Sequence, residues 1–293
     1  MSPDRDPIAP WTNVYGAART LLALGTLVNL VCDDVDVLFR PLGVGMGETA
    51  VALPLVRLSL FSILSGGRLE LARWLGIVIL LVVASGWRPR LTGLLHWWVT
   101  CSFAASCVVV DGGDQVAANL TLLLLPVTLT DPRRFHWASP AAVAGRGQSI
   151  AALLARSALL VARIQVGLIY LVAWVSKIAV EEWTNGTALY YWFLHPVFGV
   201  SDWRQTLLLP LLTRPVTVVL LTWGAIALEA LLFMGLLIDR RHRPALLVAG
   251  VLFHTGIALV HGLITFGLAM TAGLILYLRP PEKSFAVARL NPR

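Results

Sequence analysis

Long apolar segments, separated by short polar ones, occupy most of this chain and constrain its fold more than any other feature. A helix needs about 20 consecutive apolar residues to cross the hydrocarbon core of a bilayer. Of the 293 residues, 57% are hydrophobic and 13% are charged, whereas a soluble domain carries about 25% charged residues. The sequence therefore predicts an all-α, polytopic membrane helix bundle with about eight transmembrane helices. The predicted spans are 14–32, 69–87, 91–110, 115–130, 150–177, 215–238, 244–260 and 262–278.

Two further apolar segments are poor candidates for full spans. Pro54 and Arg57 interrupt residues 48–65, so a re-entrant or interfacial helix is predicted there, and residues 203–213 are similar. Because the fourth span and the last two spans are short or closely joined, seven or nine crossings are alternatives. No tandem repeat or linker divides the sequence, so residues 1–293 are interpreted as a single integral membrane domain.

The Arg and Lys residues lie mainly in alternate loops, and this asymmetry predicts the orientation of the helices. Short basic loops remain in the cytoplasm, and acidic residues collect in the opposite loops of this chain. The predicted topology has both termini inside and residues 178–204 outside. Since the net charge of +7 comes largely from the cytoplasmic loops, it indicates no nucleic-acid partner. The basic segments are 88–90, 131–148, 239–243 and 279–293.

Lys177 ends the fifth predicted span, and an aromatic, acidic segment that contains Gly186 follows it directly. Desolvation at the edge of an apolar helix favours the neutral amine, which can act as a base. In the alternative interpretation the ammonium reaches the head-group region, and Trp183, Tyr190 and Tyr191 form an interfacial aromatic belt. By spacing alone, a lysine that reaches the head-group region is more common than a lysine that acts as a base.

Polar residues recur every seven positions along the fifth span, at Arg156, Arg163, Tyr170 and Lys177. Seven residues are nearly two helical turns, so the four side chains lie on one stripe. Charged side chains at membrane depth face the bundle interior or a wet cavity. Arg163 is therefore expected to pair with Glu229, the acidic residue deep in the sixth span. This pair either locks helix packing or lines a cavity, and both interpretations stay open.

His254 and His261 in the seventh span repeat the seven-residue spacing. A histidine in a membrane helix is more often a hydrogen-bonded packing residue than a ligand or a proton carrier. Arg19 is a further polar residue in the first span, and the sequence assigns it no partner. A metal site needs convergent His or carboxylate ligands, and no local spacing supplies them, so no metal is predicted.

The segment from Tyr170 to Tyr191 resembles the signature of the horizontally transferred transmembrane (HTTM) domain, the membrane fold shared with vitamin K-dependent gamma-carboxylase. Lys177 corresponds to the catalytic lysine of that family, and Trp183 follows it one residue later than in the carboxylase. Phe253-His254 resembles the histidine-bearing penultimate helix. The resemblance implies that Lys177 and His254 are catalytic and that a membrane quinone takes the place of vitamin K as cofactor.

Longer motifs are similar to the sporulation-delaying protein B (SdpB) family, and they run through nearly the whole chain. They cover residues 10–25, 129–134, 186–191 and 262–269. Members of that family accompany a small SdpA-like partner protein and a secreted toxin precursor. The similarity implies a multi-pass protein of the bacterial cytoplasmic membrane, embedded in the lipid bilayer, that is required to mature the precursor into an antimicrobial peptide.

The chain departs from the carboxylases at Gln115, where they carry an important histidine near the start of the fourth span. A glutamine can orient a group by hydrogen bonding, but it does not exchange a proton near neutral pH. Glutamate carboxylation itself is therefore not expected. If the membrane core is catalytic, we expect another subunit to present the substrate.

Three functions are consistent with these residues. The first is an enzyme-like maturation subunit that carries out quinone-dependent, carboxylase-like chemistry, with Lys177 as the base, in an outward-facing polar cavity around Lys177 and His254. The second is a non-catalytic scaffold or export component, and the third is a toxin immunity or transport protein. For the first function, the other candidates for the cavity lining are Arg163, Tyr170, Glu229, Trp183, Gly186, Tyr190, Tyr191, Gln115 and His261.

Overall fold

Helices provide almost all of the regular structure in the computed structural model, which describes residues 9–39, 57–108, 110–140, 145–196, 199–281 and 284–285. Within these ranges the β structure is a single bridge between Trp87 and Phe135, so the predicted all-α class is confirmed. In chain order the α-helices are α1 (Asn13–Cys32), α2 (Val35–Leu38), α3 (Leu60–Ile63), α4 (Leu69–Ser85), α5 (Pro89–Ser106), α6 (Gly112–Leu123), α7 (Leu125–Thr130), α8 (Gly145–Ile178), α9 (Glu181–Thr184), α10 (Ala188–Phe193), α11 (Asp202–Leu212), α12 (Pro215–Phe233), α13 (Arg243–His261) and α14 (Ile264–Leu278).

Each of the eight predicted spans coincides with a helix or with a pair of helices. The fourth span is divided at Leu124, where Pro126 follows, because proline lacks the N–H that continues the helical hydrogen bonds. In the described residues, α14 is a shorter apolar helix, and four helical segments are long and apolar enough to cross a membrane. Those four are Asn13–Cys32, Ser149–Ile178, Pro215–Leu236 and Arg243–His261. The chain is a membrane protein, and the number and direction of its crossings stay predictions.

The two segments predicted to lie at the interface contain short helices where the structure describes them. Residues 48–56 lie outside the described residues, and in the remainder Leu60 and Phe61 of α3 are buried beside Phe103 of α5. The segment 203–213 coincides with α11, which has 11 residues. A helix of that length spans about 16 Å, roughly half of a bilayer core. An interfacial position for both segments stays a prediction.

The bundle packs around α14, which contacts α1, α6, α8 and α13 and buries its Tyr277 side chain completely. Glycines bring the neighbouring helices close. A Cβ atom on Gly273 would lie 3.3 Å from Cγ2 of Val166 in α8. A Cβ atom on Gly267 would lie 3.2 Å from the carbonyl oxygen of His254 in α13. Such close approach stabilises helix pairs in membranes, where association has no hydrophobic driving force.

A buried polar cluster, which we call the buried lock, joins α1 to the loop after α7. It consists of Tyr15, Asp131 and Arg133. Asp131 is 0% exposed, accepts a hydrogen bond from the Tyr15 hydroxyl, and forms an ion pair with Arg133 at 2.8 Å. Arg133 also donates to the backbone carbonyl of His136 at 3.0 Å. Since both ions are buried and hydrogen-bonded, the loop is fixed against the start of α1.

His136 extends this contact to the turn between α4 and α5. Gly86 in that turn has a φ of +84°, and a Cβ atom on it would lie within 2.6 Å of two atoms of the His136 ring, so only glycine fits. Arg19 donates to the Thr92 hydroxyl at 2.7 Å and lies 3.4 Å from Nδ1 of His136. Burial, together with the guanidinium groups of Arg19 and Arg133, lowers the pKa of His136 to about 2. The imidazole is therefore neutral. The terminal nitrogens of Arg19 contact His136 and Thr92, which are partners that the sequence did not assign.

Single-cysteine labelling in intact cells tests the predicted orientation. With the three native cysteines replaced by serine, a cysteine at Thr184 is expected to react with a membrane-impermeant maleimide, and one at Arg241 is expected to react only after permeabilisation. Both positions are exposed in the structure, so the membrane alone decides the difference. The reverse pattern would place Lys177 at the cytoplasmic face.

Loss of the buried lock is expected to destabilise the fold. Asp131→Ala leaves the buried Arg133 guanidinium without its counter-charge, which should lower the free energy of unfolding by about 3 to 5 kcal/mol. Thermal unfolding of the purified protein in detergent measures the change. The matched control is Asp239→Ala, which removes an ion pair with Arg241 whose side chains are 60% and 76% exposed. It should change stability by less than about 1 kcal/mol, and equal effects of the two variants would contradict the assignment.

Candidate functional site

A cavity of about 820 Å³, which we call the Lys177 cavity, separates α12 from α13. α12 packs on α8 and makes little contact with α13, and this leaves the space. The C-terminal end of α8 and the helices α9 and α10 contribute to the wall. Leu220 of α12 and Leu252 of α13 line the cavity and are also exposed on the outside of the bundle. The cavity therefore opens between these two helices to the lateral surface of the bundle. Most described lining residues are apolar, and the ionisable ones are Asp111, Lys177, Glu229, His254 and His261.

Lys177 turns into this cavity and pairs with Glu229. Nζ donates to Oε1 of Glu229 at 2.9 Å, and the side chains are 22% and 8% exposed. Nζ also lies 3.5 Å from the carbonyl oxygen of Ala173, one turn back along α8. The ring of Trp183 lies 5.1 Å from Nζ and adds a cation–π contact. The ammonium thus points back along its helix into the bundle, and this geometry favours the cavity-facing interpretation over the head-group one.

The expected pairing of Arg163 with Glu229 is wrong. Nε of Arg163 donates to the carbonyl oxygen of Tyr277 at 3.0 Å, near the end of α14. Arg163 precedes Lys177 by 14 residues, which is about 21 Å along a helix. The register of α12 against α8 puts Glu229 within reach of Lys177 and not of Arg163. A buried Glu229 requires a counter-charge. The polar stripe on α8 contains more than one cation, so the sequence did not decide which of them pairs with Glu229.

Glu229 and His254 each keep one buried polar atom without a hydrogen-bond partner in the described residues, and these are Oε2 and Nδ1. His254 Nε2 is 2.9 Å from the Tyr170 hydroxyl, and the Phe266 ring packs edge-on at 5.5 Å between centroids. Tyr170 and His254 are 1% and 3% exposed. A buried polar atom without a partner is available to bind a ligand or to exchange a proton, and both atoms belong to residues that line the Lys177 cavity.

The described residues that follow Lys177, 178–196 and 199–204, form a segment that we call the cap. Only some of them, such as Trp183 and Phe193, line the cavity. Gly186 adopts a φ of +86°, and a Cβ atom there would lie 3.1 Å from Val219, so the turn packs directly on α12. His261 lines the cavity and its ring meets that of Phe193 at 5.1 Å. Tyr190 and Tyr191 are exposed and are not among the described lining residues.

Gln115 is exposed and does not belong to the described lining, whereas Asp111 in the preceding turn does. Asp111 and Asp114 form a capping box at the start of α6, and Oδ2 of Asp111 accepts a hydrogen bond from Thr265 at 3.3 Å. The pattern Asp-Gly-Gly-Asp at residues 111–114 is a helix-start signal, and it could have identified Asp111. No comparable signal marks the aromatic lining residues Trp192 and Phe193. In the described part of the chain, no three His, Cys, Asp or Glu side chains are placed to hold a metal ion.

Comparison with known proteins finds relatives along nearly the whole chain. The HTTM domain family matches residues 140–281, which include α8, α12 and α13 and therefore Lys177, Glu229 and His254. Sporulation-delaying protein SdpB of Bacillus subtilis strain 168 is 35% identical over 288 residues, 98% of this chain and 87% of its own length. YitO of the same strain, an uncharacterized protein, is 39% identical over 277 residues, 94% of this chain and 88% of its own. No solved structure matches the chain.

Substitution of one partner of the Lys177–Glu229 pair is expected to destabilise the protein more than substitution of both. Lys177→Met or Glu229→Leu alone leaves a buried charge and should lower the free energy of unfolding by about 3 kcal/mol, whereas the double variant should recover most of this loss. Thermal unfolding in detergent measures the three variants. Glu70→Gln, which removes a half-exposed partner of Arg73 at 3.2 Å, is the control and should have little effect. Strictly additive losses in the double variant would show that the two residues do not interact.

Proposed function

Because this chain belongs to the SdpB family of HTTM-domain membrane proteins, we propose that it is the membrane subunit required to mature or export a secreted antimicrobial peptide of the sporulation-delaying type. The Lys177–Glu229 pair inside the Lys177 cavity is the observation that supports an enzymatic role. Ionisable groups at membrane depth are costly, and they are typical of sites that move protons, ions or substrates. In this proposal the protein crosses the bacterial cytoplasmic membrane several times, and the cavity faces outward.

Lys177 is the base in the proposed mechanism. A proton passes from Nζ to Oε1 of Glu229 across 2.9 Å, which neutralises both groups in a site where charges are poorly solvated. The neutral amine then has a lone pair that accepts a proton from a substrate in the cavity. Trp183 stabilises the ammonium that results, because its ring faces Nζ at 5.1 Å.

His254 provides the second acid–base group. The Tyr170 hydroxyl is hydrogen-bonded to Nε2 of His254 at 2.9 Å, and this bond orients the ring. A hydrogen bond to one imidazole nitrogen has the same effect in catalytic sites. Nδ1 is then the atom that contacts a substrate oxygen or carries a proton, in agreement with its having no partner in the described residues.

The lining also fits a membrane quinone, the cofactor that the family resemblance implies. Trp192, Phe193, Phe253 and Phe266 give the cavity aromatic walls, against which a flat ring packs favourably. Nδ1 of His254 is available to hydrogen-bond a quinone oxygen, and the sideways opening gives an apolar tail access from the bilayer. When bound, the quinone would supply oxidation–reduction chemistry.

We propose further that a small SdpA-like partner presents the toxin precursor at the cap. Tyr191 and Trp203, which are 58% and 68% exposed, lie on the segment that follows Lys177. Aromatic side chains are enriched in protein interfaces. Tyr191 is the neighbour of Trp192, which lines the cavity, and Trp203 is the neighbour of Arg204, which donates to the carbonyl oxygen of the lining residue Val260 at 3.0 Å. A precursor held at this surface would therefore be close to the Lys177 cavity.

Variants of Lys177 test the proposal in cells that also make the precursor and the partner. Lys177→Met is expected to reduce the amount of mature peptide by about 100-fold or more, the scale of a lost acid–base group, after the output is divided by the amount of the variant present in the membrane. Mass spectrometry of the secreted peptide measures the output and identifies the missing modification or cleavage. The control is Ser176→Ala, because Ser176 is the exposed neighbour of Lys177.

Two results would replace this function with another. Wild-type output from Lys177→Met would indicate a scaffold or export component, since such a role does not use the amine. Resistance to the mature toxin in cells that express this chain alone, without the precursor, would indicate immunity.

A further inference from the structure

A carboxylate lines the Lys177 cavity where α6 begins, and only neutral groups hold it in place. Asp111 is partly buried and belongs to the lining. Its Oδ1 accepts a hydrogen bond from the backbone N–H of Asp114 at 3.0 Å, and its Oδ2 accepts one from the Thr265 hydroxyl at 3.3 Å. Within the described residues, no Lys or Arg forms an ion pair with Asp111. The carboxylate is therefore fixed in position without a counter-charge from the described chain.

The position of Asp111 as the N-cap of α6 accounts for an oxygen acceptor there, but not for a charge. Asparagine and serine cap helices about as well as aspartate does. Most of the described lining of the cavity is apolar, and a carboxylate in such surroundings is costly unless a cation joins it. The charge of Asp111 therefore indicates a cationic ligand.

His254 provides an independent indication that the same cavity holds a ligand. Its side chain is 3% exposed, and Nδ1 has no hydrogen-bond partner in the described residues. The Phe266 ring links the two residues. It packs edge-on against the His254 ring at 5.5 Å between centroids, and a Cβ atom on Gly112, the neighbour of Asp111, would lie 3.5 Å from its Cε2 atom. One ligand in the cavity can thus contact both Asp111 and His254.

We propose that Asp111 binds a cationic group of the peptide substrate, an ammonium or a guanidinium, inside the Lys177 cavity. Hydrogen bonds between such a group and a carboxylate are about twice as strong as neutral ones, and the Phe266 ring adds a cation–π contact. Nδ1 of His254 is then available to a neighbouring polar atom of the same peptide. The inference rests on the proposed function for the identity of the peptide, and it adds that the precursor enters the cavity with a positively charged residue or amino terminus.

Binding of three small probes to the purified full-length protein in a neutral detergent tests the proposal. Phenethylammonium, 2-phenylethanol and phenylacetate share one ring and differ in charge, and titrations followed by thermal unfolding give their dissociation constants. Wild-type protein is expected to bind phenethylammonium about tenfold more tightly than the neutral alcohol, the scale of one charged hydrogen bond, and phenylacetate least tightly. Asp111→Asn should abolish this preference while it retains the helix cap.

The matched control is Asp36→Asn, because Asp36 is an exposed carboxylate on α2 that does not line the cavity, and it should leave the preference unchanged. A preference that survives Asp111→Asn, or that is absent from the wild-type protein, would overturn the proposal. If Asp111→Asn fails to fold, a photoactivatable phenethylammonium decides with wild-type protein alone. It should label residues 110–113 or 263–266, and labelling confined to other segments would reject the site.

Mature-peptide output in cells separates a failure of this inference from a failure of the proposed function. Asp111→Asn should lower the output about tenfold relative to the amount of protein in the membrane. If Lys177→Met loses the output but Asp111→Asn loses neither the output nor the probe preference, only the role of Asp111 is wrong. If the probe preference depends on Asp111 but Lys177→Met keeps the wild-type output, the cation site stands and the proposed chemistry fails.

Discussion

The ion pair between Lys177 and Glu229 joins α8 to α12 and thereby sets one wall of the Lys177 cavity. A single charge in an apolar bundle is costly, so each of these residues requires the other. α12 is held by this pair and by its packing on α8, with little contact to α13. The space between α12 and α13 follows from that arrangement. The pair is thus both a structural link and the chemically active part of the proposed site.

The seven-residue stripe on α8 serves two cavities instead of one. Its C-terminal members, Tyr170 and Lys177, contact His254 and Glu229. The other two members, Arg156 and Arg163, line a smaller cavity of about 190 Å³ together with Arg279. A helix rises about 10 Å in seven residues, so residues on one face reach different depths of the bundle. The same periodicity therefore brings polar side chains of one helix to two different cavities.

The buried lock and the Lys177 cavity differ in how completely the hydrogen bonds of their buried polar atoms are satisfied in the described residues. In the buried lock both carboxylate oxygens of Asp131 are bonded, to Tyr15 and to the backbone and side chain of Arg133. In the Lys177 cavity, Oε2 of Glu229 and Nδ1 of His254 have no partner in the described residues. Fully satisfied networks make structure rigid, whereas open positions accept a ligand or a proton. This difference separates the structural cluster from the proposed functional one.

The sequence by itself determined the helices, the family and, through the family resemblance, Lys177 and His254, which both line the Lys177 cavity. Apolar length located the helices within one or two helical turns of their observed ends, whereas the number of membrane crossings stays a prediction. Only the tertiary structure decided that Glu229 pairs with Lys177 and not with Arg163, and that Asp111 lines the cavity where Gln115 does not. Periodicity specifies which residues share a face of one helix, but the register between α8 and α12 depends on packing across the bundle. A carboxylate pairs with whichever cation that packing brings to its depth.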